Sequence, residues 1–215
     1  MNDLRVFNEL IYNKYLSLDN INLLSSPLLV SSKKYLENLS NKKIMYIGQE
    51  TNRWVNEGNE VIRSINDIED SYDYFLLDRC TSSTIFWQFI KNILDVNYNE
   101  LHKNIIWTNT LLCGNRFEKG TPCTNDKLNN ISLEYLLFLY NYFKPDYIIN
   151  VSGNRNPYYN ITTKFLNELG ITLDYPTKSN PVVIKDNIIW TYHPLYLKKS
   201  KLENNVKDEI KRLIK

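Results

Sequence analysis

The chain has 215 residues, of which 43% are hydrophobic and 13% aromatic, enough apolar material to bury the core of one ample domain; no compositional shift marks a linker, and the composition is that of a folded chain, not a disordered one. Its 26 basic and 24 acidic residues give a net charge of +2, which excludes a nucleic-acid interaction driven by bulk charge and requires any such surface to be local. Cys80, Cys113 and Cys123 form no CxxC pair, which argues against a disulfide framework, a zinc site or an iron-sulfur site and makes them reduced, mostly packed thiols.

The opening residues Met1 to Arg5 carry charge early and do not read as a signal peptide, and no apolar stretch reaches membrane-spanning length. The expectation is a cytoplasmic, monomeric chain of one domain over residues 1–215, with no membrane partner.

In chain order, Leu4 to Leu18 places Val6, Leu10, Ile11 and Tyr15 near helical spacing and predicts an amphipathic packing helix. The short apolar run Ile44 to Ile47 then stops at Gly48, as a buried parallel strand would before a sharp turn. Residues Asn56 to Asp78 are acidic and irregular and read as a mobile surface loop with a short helix.

A helix is predicted from Thr84 to Leu94, and a second strand from Ile105 to Thr108 ends at Asn109. Ser132 to Phe143 reads as a helix with Ser132 as its N-cap. The third strand, Tyr147 to Val151, runs into Ser152-Gly153-Asn154, and Tyr158 to Leu169 forms a helix closed by Gly170. The fourth strand, Ile188 to Thr191, ends at Tyr192-His193-Pro194, and a lysine-rich helix from Lys201 to Ile214 completes the chain.

Strands alternating with helices predict an α/β fold: three αβα layers around a central, mostly parallel four-stranded sheet. Ligands bind such sheets beyond the carboxyl ends of the strands, where all four predicted strands turn polar or glycine-rich. One cleft should therefore gather Gly48, Gln49 and Glu50, Asn109, the Gly153-Asn154-Arg155 segment, and His193.

Each residue type fits a task there. Glycine at position 48 lets the backbone turn so that Glu50 faces the cleft. Asn109 offers both an acceptor and donors, as reading the hydrogen-bonding edge of a pyrimidine requires. His193, one of two histidines, is stiffened by the proline after it and could stabilise a leaving anion. His102, at the amino end of the second strand, receives no role.

This order of motifs, Gly48-Gln49-Glu50, Asn109, Gly153 and His193-Pro194-Leu195, resembles the uracil-DNA glycosylase superfamily over roughly residues 43 to 199. In that family the first motif reads Gly-Gln-Asp-Pro-Tyr-His and the last His-Pro-Ser. Here Glu50 stands for the acid, Thr51 for proline, Asn52 for tyrosine and Arg53 for histidine. The resemblance implies that Glu50 polarises water and His193 stabilises the departing base. It also implies a base pocket of Gly48, Gln49, Asn52 and Asn109, beside which Trp54 is a candidate for stacking on the base.

By the same resemblance, Tyr196 is a wedge on the loop that enters the minor groove. Phe86 and Trp87, at helical spacing, read as core. The DNA-facing set comprises Arg53, Gly153, Asn154, Arg155, Tyr196, Lys198 and Lys199, with Arg116 and Lys119 as further local cations.

The family's tyrosine closes the pocket against a substituent on base carbon C5, so Asn52 leaves a smaller, polar wall that could hydrogen-bond a hydroxyl there. The expected activity is therefore excision of a modified pyrimidine, such as a hydroxymethylated or glucosylated cytosine of phage DNA, in antiviral defence. No lysine is placed to form a Schiff base, so a monofunctional enzyme leaving an abasic site is expected, with DNA, single- or double-stranded, as partner and no cofactor or metal.

Uracil excision in repair stays open. So do a nucleoside hydrolase acting on free substrates and an inactive glycosylase-like fold that binds or senses nucleic acid. A flavodoxin-like nucleotide-binding domain is disfavoured, because no glycine-rich phosphate loop follows the first strand.

Overall fold

The computed structural model describes residues 3–40, 42–51, 63–78 and 84–214. The chain begins with α1 (Asp3–Leu16), a 3₁₀ turn (Ile21–Leu23) and α2 (Lys34–Asn38), then enters the sheet at β1 (Ile44–Gly48). There follow α3 (Ile65–Asp73) running into a π turn (Tyr74–Asp78), α4 (Ile85–Leu94), α5 (Tyr98–Leu101) and β2 (Ile105–Asn109). The second half contains α6 (Asp126–Phe143), β3 (Tyr147–Asn150), α7 (Tyr158–Glu168), β4 (Val182–Lys185), β5 (Ile188–Thr191), α8 (Pro194–Lys199) and α9 (Glu203–Ile214).

The sheet has five strands among the described residues, in the order β2-β1-β3-β5-β4, parallel except for β4. The expected αβα architecture holds, with one strand more than predicted. β4 is an edge strand antiparallel to β5. The two are joined by Asp186 and Asn187, with Asp186 at φ 53, the left-handed backbone that a two-residue hairpin turn asks for.

β1 and β2 are buried along their whole length, as expected of strands covered on both faces. Helices α4, α8 and α9 contact one another; α1, α6 and α7 form the other packed group.

The segment predicted as a mobile loop from Asn56 to Asp78 is helical and docked from Ile65 onward; its earlier part, through residue 62, lies outside the described residues. Ile68, Tyr72 and Leu76 are fully buried. Glu69, also fully buried, is held by Arg5 and Asn8 of α1 at 2.7 Å each. A buried carboxylate survives only when its lone pairs are met in this way.

The docking also serves the sheet. β2 is an edge strand, and its outward carbonyls would be left without partners under the covering helices. Tyr72 donates to Trp107 O at 2.9 Å, and Tyr35 donates to Ile105 O.

Helix α6 starts six residues before the predicted Ser132. Asn125 is the N-cap, accepting from Leu128 N at 2.9 Å, while Ser132 sits inside the helix. Its hydroxyl donates to Leu128 O at 2.8 Å and accepts from Leu112 N at 3.1 Å, so it ties α6 to the loop after β2. Cys113 is buried and Cys123 exposed, both as free thiols; Cys80 lies outside the described residues. No helix among the described residues is long and apolar enough to cross a membrane.

Candidate active site at the carboxyl ends of the strands

Strand register brings the site together. Gly48 pairs with Asn109, Ile47 with Asn150, and Asn150 with Trp190, so the carboxyl ends of β1, β2, β3 and β5 finish level. Because the chain moves from β1 to β2 and then crosses to β3 on the other side, β1 and β3 flank the topological switch point where such sheets open a crevice. Gln49 spans that point, its Nε2 donating to Ser152 O at 2.8 Å.

Gly48 is required for a different reason from the one the sequence suggests. Its φ is not positive, so turning freedom is not the issue. A Cβ there would come within 2.4 Å of the Asn109 carboxamide and 3.1 Å of the Phe86 ring. The missing side chain lets these two groups approach the end of β1.

Two cavities flank the wall formed by Gln49 and His193. The first, about 360 Å³, contains Glu50, Thr51 and Asn109, with Phe75, Phe86, Trp87 and Trp107 as aromatic walls. The second, about 480 Å³, lies beyond β3 and β5 and contains Gly153, Asn154, Arg155, Lys178, Tyr192, Tyr196 and Lys199.

Among the sequence-predicted residues, Gln49, Glu50, Asn109 and His193 meet in the first cavity, and Gly153, Asn154, Arg155, Tyr196 and Lys199 in the second. Lys198 is exposed and lines neither; Arg116 lies over the Phe117 ring, also away from both. Asn52, Arg53 and Trp54 lie outside the described residues, so the proposed C5 wall is not seen.

Glu50 is the one carboxylate among the described lining residues of the first cavity. Burial raises its pKa above the usual carboxylate value, while a hydrogen bond from Tyr158 pulls it back down. His193 caps α8, its Nδ1 accepting from Leu195 N at 3.2 Å. With Nδ1 an acceptor, the proton of the neutral ring resides on Nε2. Burial lowers the His193 pKa, which keeps the ring neutral and Nε2 a donor at pH 7.

The Asn109 carboxamide satisfies both neighbours with its nitrogen donating to Thr108 O (3.0 Å) and its oxygen accepting from Thr51 N (3.2 Å). One N–H and one lone pair are left for a ligand. Phe86, expected in the core, is only partly buried and lines the cavity, its ring centroid 6.2 Å from that of His193 at an interplanar angle of 22°. Its backbone is fixed by Tyr46, whose hydroxyl donates to Phe86 O at 2.9 Å.

Tyr196, expected on a loop as a wedge, belongs to α8 and packs its ring 4.4 Å from that of Tyr192. Gly153 has φ 76; its N–H donates to Thr191 O at 3.1 Å and its carbonyl accepts from Trp190 Nε1 at 3.0 Å, which locks the loop after β3 onto β5.

Neither a protein-family model nor a curated protein sequence matches this chain. The site must therefore speak through its own chemistry. A carboxylate, a neutral imidazole donor, a carboxamide and an aromatic ring share one cavity next to a cationic one. Among the described residues there is no cluster of three His, Cys, Asp or Glu side chains to hold a metal ion.

Proposed function

We propose that the chain is a monofunctional DNA glycosylase that excises a 5-substituted pyrimidine, with a bulky modified cytosine of phage DNA as the favoured base. The observation that carries this reading is the convergence of Glu50 and His193, from the ends of β1 and β5, on one aromatic-walled cavity that also contains Asn109.

A base within a duplex must be extruded at a cost of a few kcal/mol before such a cavity can take it. In this reading the Phe86 ring supports the face of the base, and the spare Asn109 donor and acceptor bind its edge. Breaking the N-glycosidic bond leaves positive charge on the sugar and negative charge on the base. His193 Nε2 hydrogen-bonds the base as it leaves as an anion, and the Glu50 carboxylate offsets the sugar charge, orients the attacking water and takes its proton as the new C1′–O bond forms.

Size is compatible with a substituted base. A cavity of about 360 Å³ falls in the range of about 300–1,000 Å³ that accommodates drug-sized ligands. Charge favours DNA: Arg155, Lys178 and Lys199 line the neighbouring cavity, and none forms an ion pair among the described residues.

The test is a panel of oligonucleotides carrying uracil, mismatched thymine, 5-hydroxymethylcytosine or glucosylated cytosine, followed by alkali cleavage of abasic sites. Strand breaks at the bulky cytosines are expected. Efficient excision of uracil with the bulky bases left intact would overturn the substrate, and excision of none would overturn the activity.

A further inference from the structure

Glu50 is held by a residue outside the lining of its cavity. Tyr158, the first residue of α7, donates its phenolic proton to Glu50 Oε2, and Thr121 Oγ1 lies 2.7 Å from the same phenolic oxygen. A phenol has one proton and this one gives it to the carboxylate, so Thr121 must be the donor in the second bond. The chain of donors runs from Thr121 through Tyr158 to Glu50.

Tyr158 is 3% exposed and is not among the residues lining either cavity. Its hydrogen bond reaches Glu50, which does line the first cavity.

We propose that Tyr158, backed by Thr121, is a positioning residue that fixes the orientation and the negative charge of Glu50, holding one carboxylate oxygen and leaving the other for the reaction. The chemical purpose of this role rests on the glycosylase reading; the hydrogen-bond chain itself does not.

The physics favours such a device. Burial disfavours the ionised form of Glu50, and among the described residues no cation lines its cavity. The groups facing it are Tyr158 from α7 and, across the cavity, His193, which is neutral; Arg155 acts on the Tyr158 phenol. A hydrogen bond to a charged acceptor is stronger than a neutral one, and a donor behind the phenol polarises it further.

The full-length chain and its Tyr158→Phe and Thr121→Val variants test this in two ways. In protein labelled with ¹³C at the glutamate carboxyl, with Glu50→Gln identifying the signal, Glu50 should titrate at higher pH in Tyr158→Phe, and in the same direction but less in Thr121→Val. An unchanged midpoint in both variants overturns the proposal. If Tyr158→Phe does not fold, the Thr121→Val titration, at an exposed loop position, decides alone.

In single-turnover excision, Tyr158→Phe should lose about tenfold on the acid side of the profile, the difference shrinking on the alkaline plateau. An equal loss at every pH together with an unshifted Glu50 midpoint would leave no hold on the charge of Glu50 and overturn the proposal. Should the wild-type chain excise nothing from the panel, the glycosylase reading fails while the carboxyl titration still decides the role of Tyr158.

Discussion

Gly114 lies directly against Thr51: a Cβ on the glycine would stand 1.8 Å from the Thr51 carbonyl oxygen and 3.6 Å from Glu50 Cγ. The contact is held from behind. Gly114 N donates to Ser25 Oγ at 2.9 Å, Ser25 N donates to Gly114 O at 2.8 Å, and Ser25 Oγ lies 3.2 Å from Thr51 Oγ1. The segment carrying Glu50 is thus clamped between β1 and the loop after β2. A methyl group at position 114 has to push the Thr51 backbone, and overpacking of this kind costs about 1–3 kcal/mol. Gly114→Ala should lower the melting temperature by about 2–4 °C per kcal/mol and reduce excision by about 100-fold, since displacing a reacting group by 1 Å has that effect. Melting curves and single-turnover rates check both. Full excision by this variant would mean that Gly114 does not set the position of Glu50.

Glu50 and His193 give opposite pH signatures. Burial raises the Glu50 pKa, so the folded state holds its proton more tightly than the unfolded chain does. The associated stability is present below the ordinary carboxylate range and is lost as pH rises through the raised value. Glu50→Gln should therefore melt higher than wild type at neutral pH, with the gap closing in acid, while excision falls by about 10²–10⁴-fold.

The His193 pKa is lowered, so the folded state disfavours the cation and loses stability as pH drops through the ordinary histidine range. The wild-type rate should rise with pH through the Glu50 titration and then level off. His193→Ala should flatten excision by a similar factor without abolishing DNA binding, as read by gel shift. Full activity in both variants would remove the mechanism.

The sequence displays this site unevenly, for physical reasons. Strands buried on both faces are continuous apolar runs, so Ile44 to Ile47, Ile105 to Thr108 and Ile188 to Thr191 stand out, and their polar endings locate the cleft. β4 carries a signal too, Val182-Val183-Ile184 before the Asp186-Asn187 turn, but a hairpin does not fit a regular strand-helix alternation. The start of α6 was marked by Asn125-Asp126; Ser132 is an equally good cap by residue type, and only its contact with Leu112 explains its place inside the helix. Phe86 has the spacing of a core residue but lines the cavity, where the bare Cα of Gly48 leaves room for its ring. Tyr158 has no local signature, because what defines it is a hydrogen bond across 108 positions.

Asn109 ties the end of β2 to the backbone that carries Glu50. Its oxygen accepts from Thr51 N, and its nitrogen donates to Thr108 O. In Asn109→Asp the first bond survives, but a carboxylate oxygen faces the Thr108 carbonyl with no proton between them. That variant should be less stable at neutral pH than in acid, where the new carboxyl is protonated. Asn109→Ala should leave DNA affinity nearly unchanged, because base-edge contacts specify whereas phosphate contacts hold. Its kcat/KM ratio between modified cytosine and uracil should change by about tenfold or more, the cost of an unmet buried polar group. An unaltered ratio would exclude Asn109 from base recognition.

The second cavity predicts how binding responds to salt. Arg155, Lys178 and Lys199 come from the loop after β3, the segment before β4 and α8, so three parts of the chain bring positive charge to one place. Tyr192 and Tyr196 line the same cavity. With a net charge of only +2, the chain has no bulk field to attract a polyanion, and these local cations must dominate any contact with phosphate. Each cation that neutralises a phosphate releases counterions and contributes about 0.9 to the slope of log K against log salt. Replacing Arg155, Lys178 or Lys199 singly by alanine should lower the measured slope by about that amount and weaken modified and unmodified oligonucleotides alike. Lys198→Ala, which alters an exposed side chain outside the cavity, should change the slope less. Slopes measured by fluorescence anisotropy over a range of salt concentrations separate these cases, and a wild-type slope in all three cavity variants would place the DNA path elsewhere on the protein.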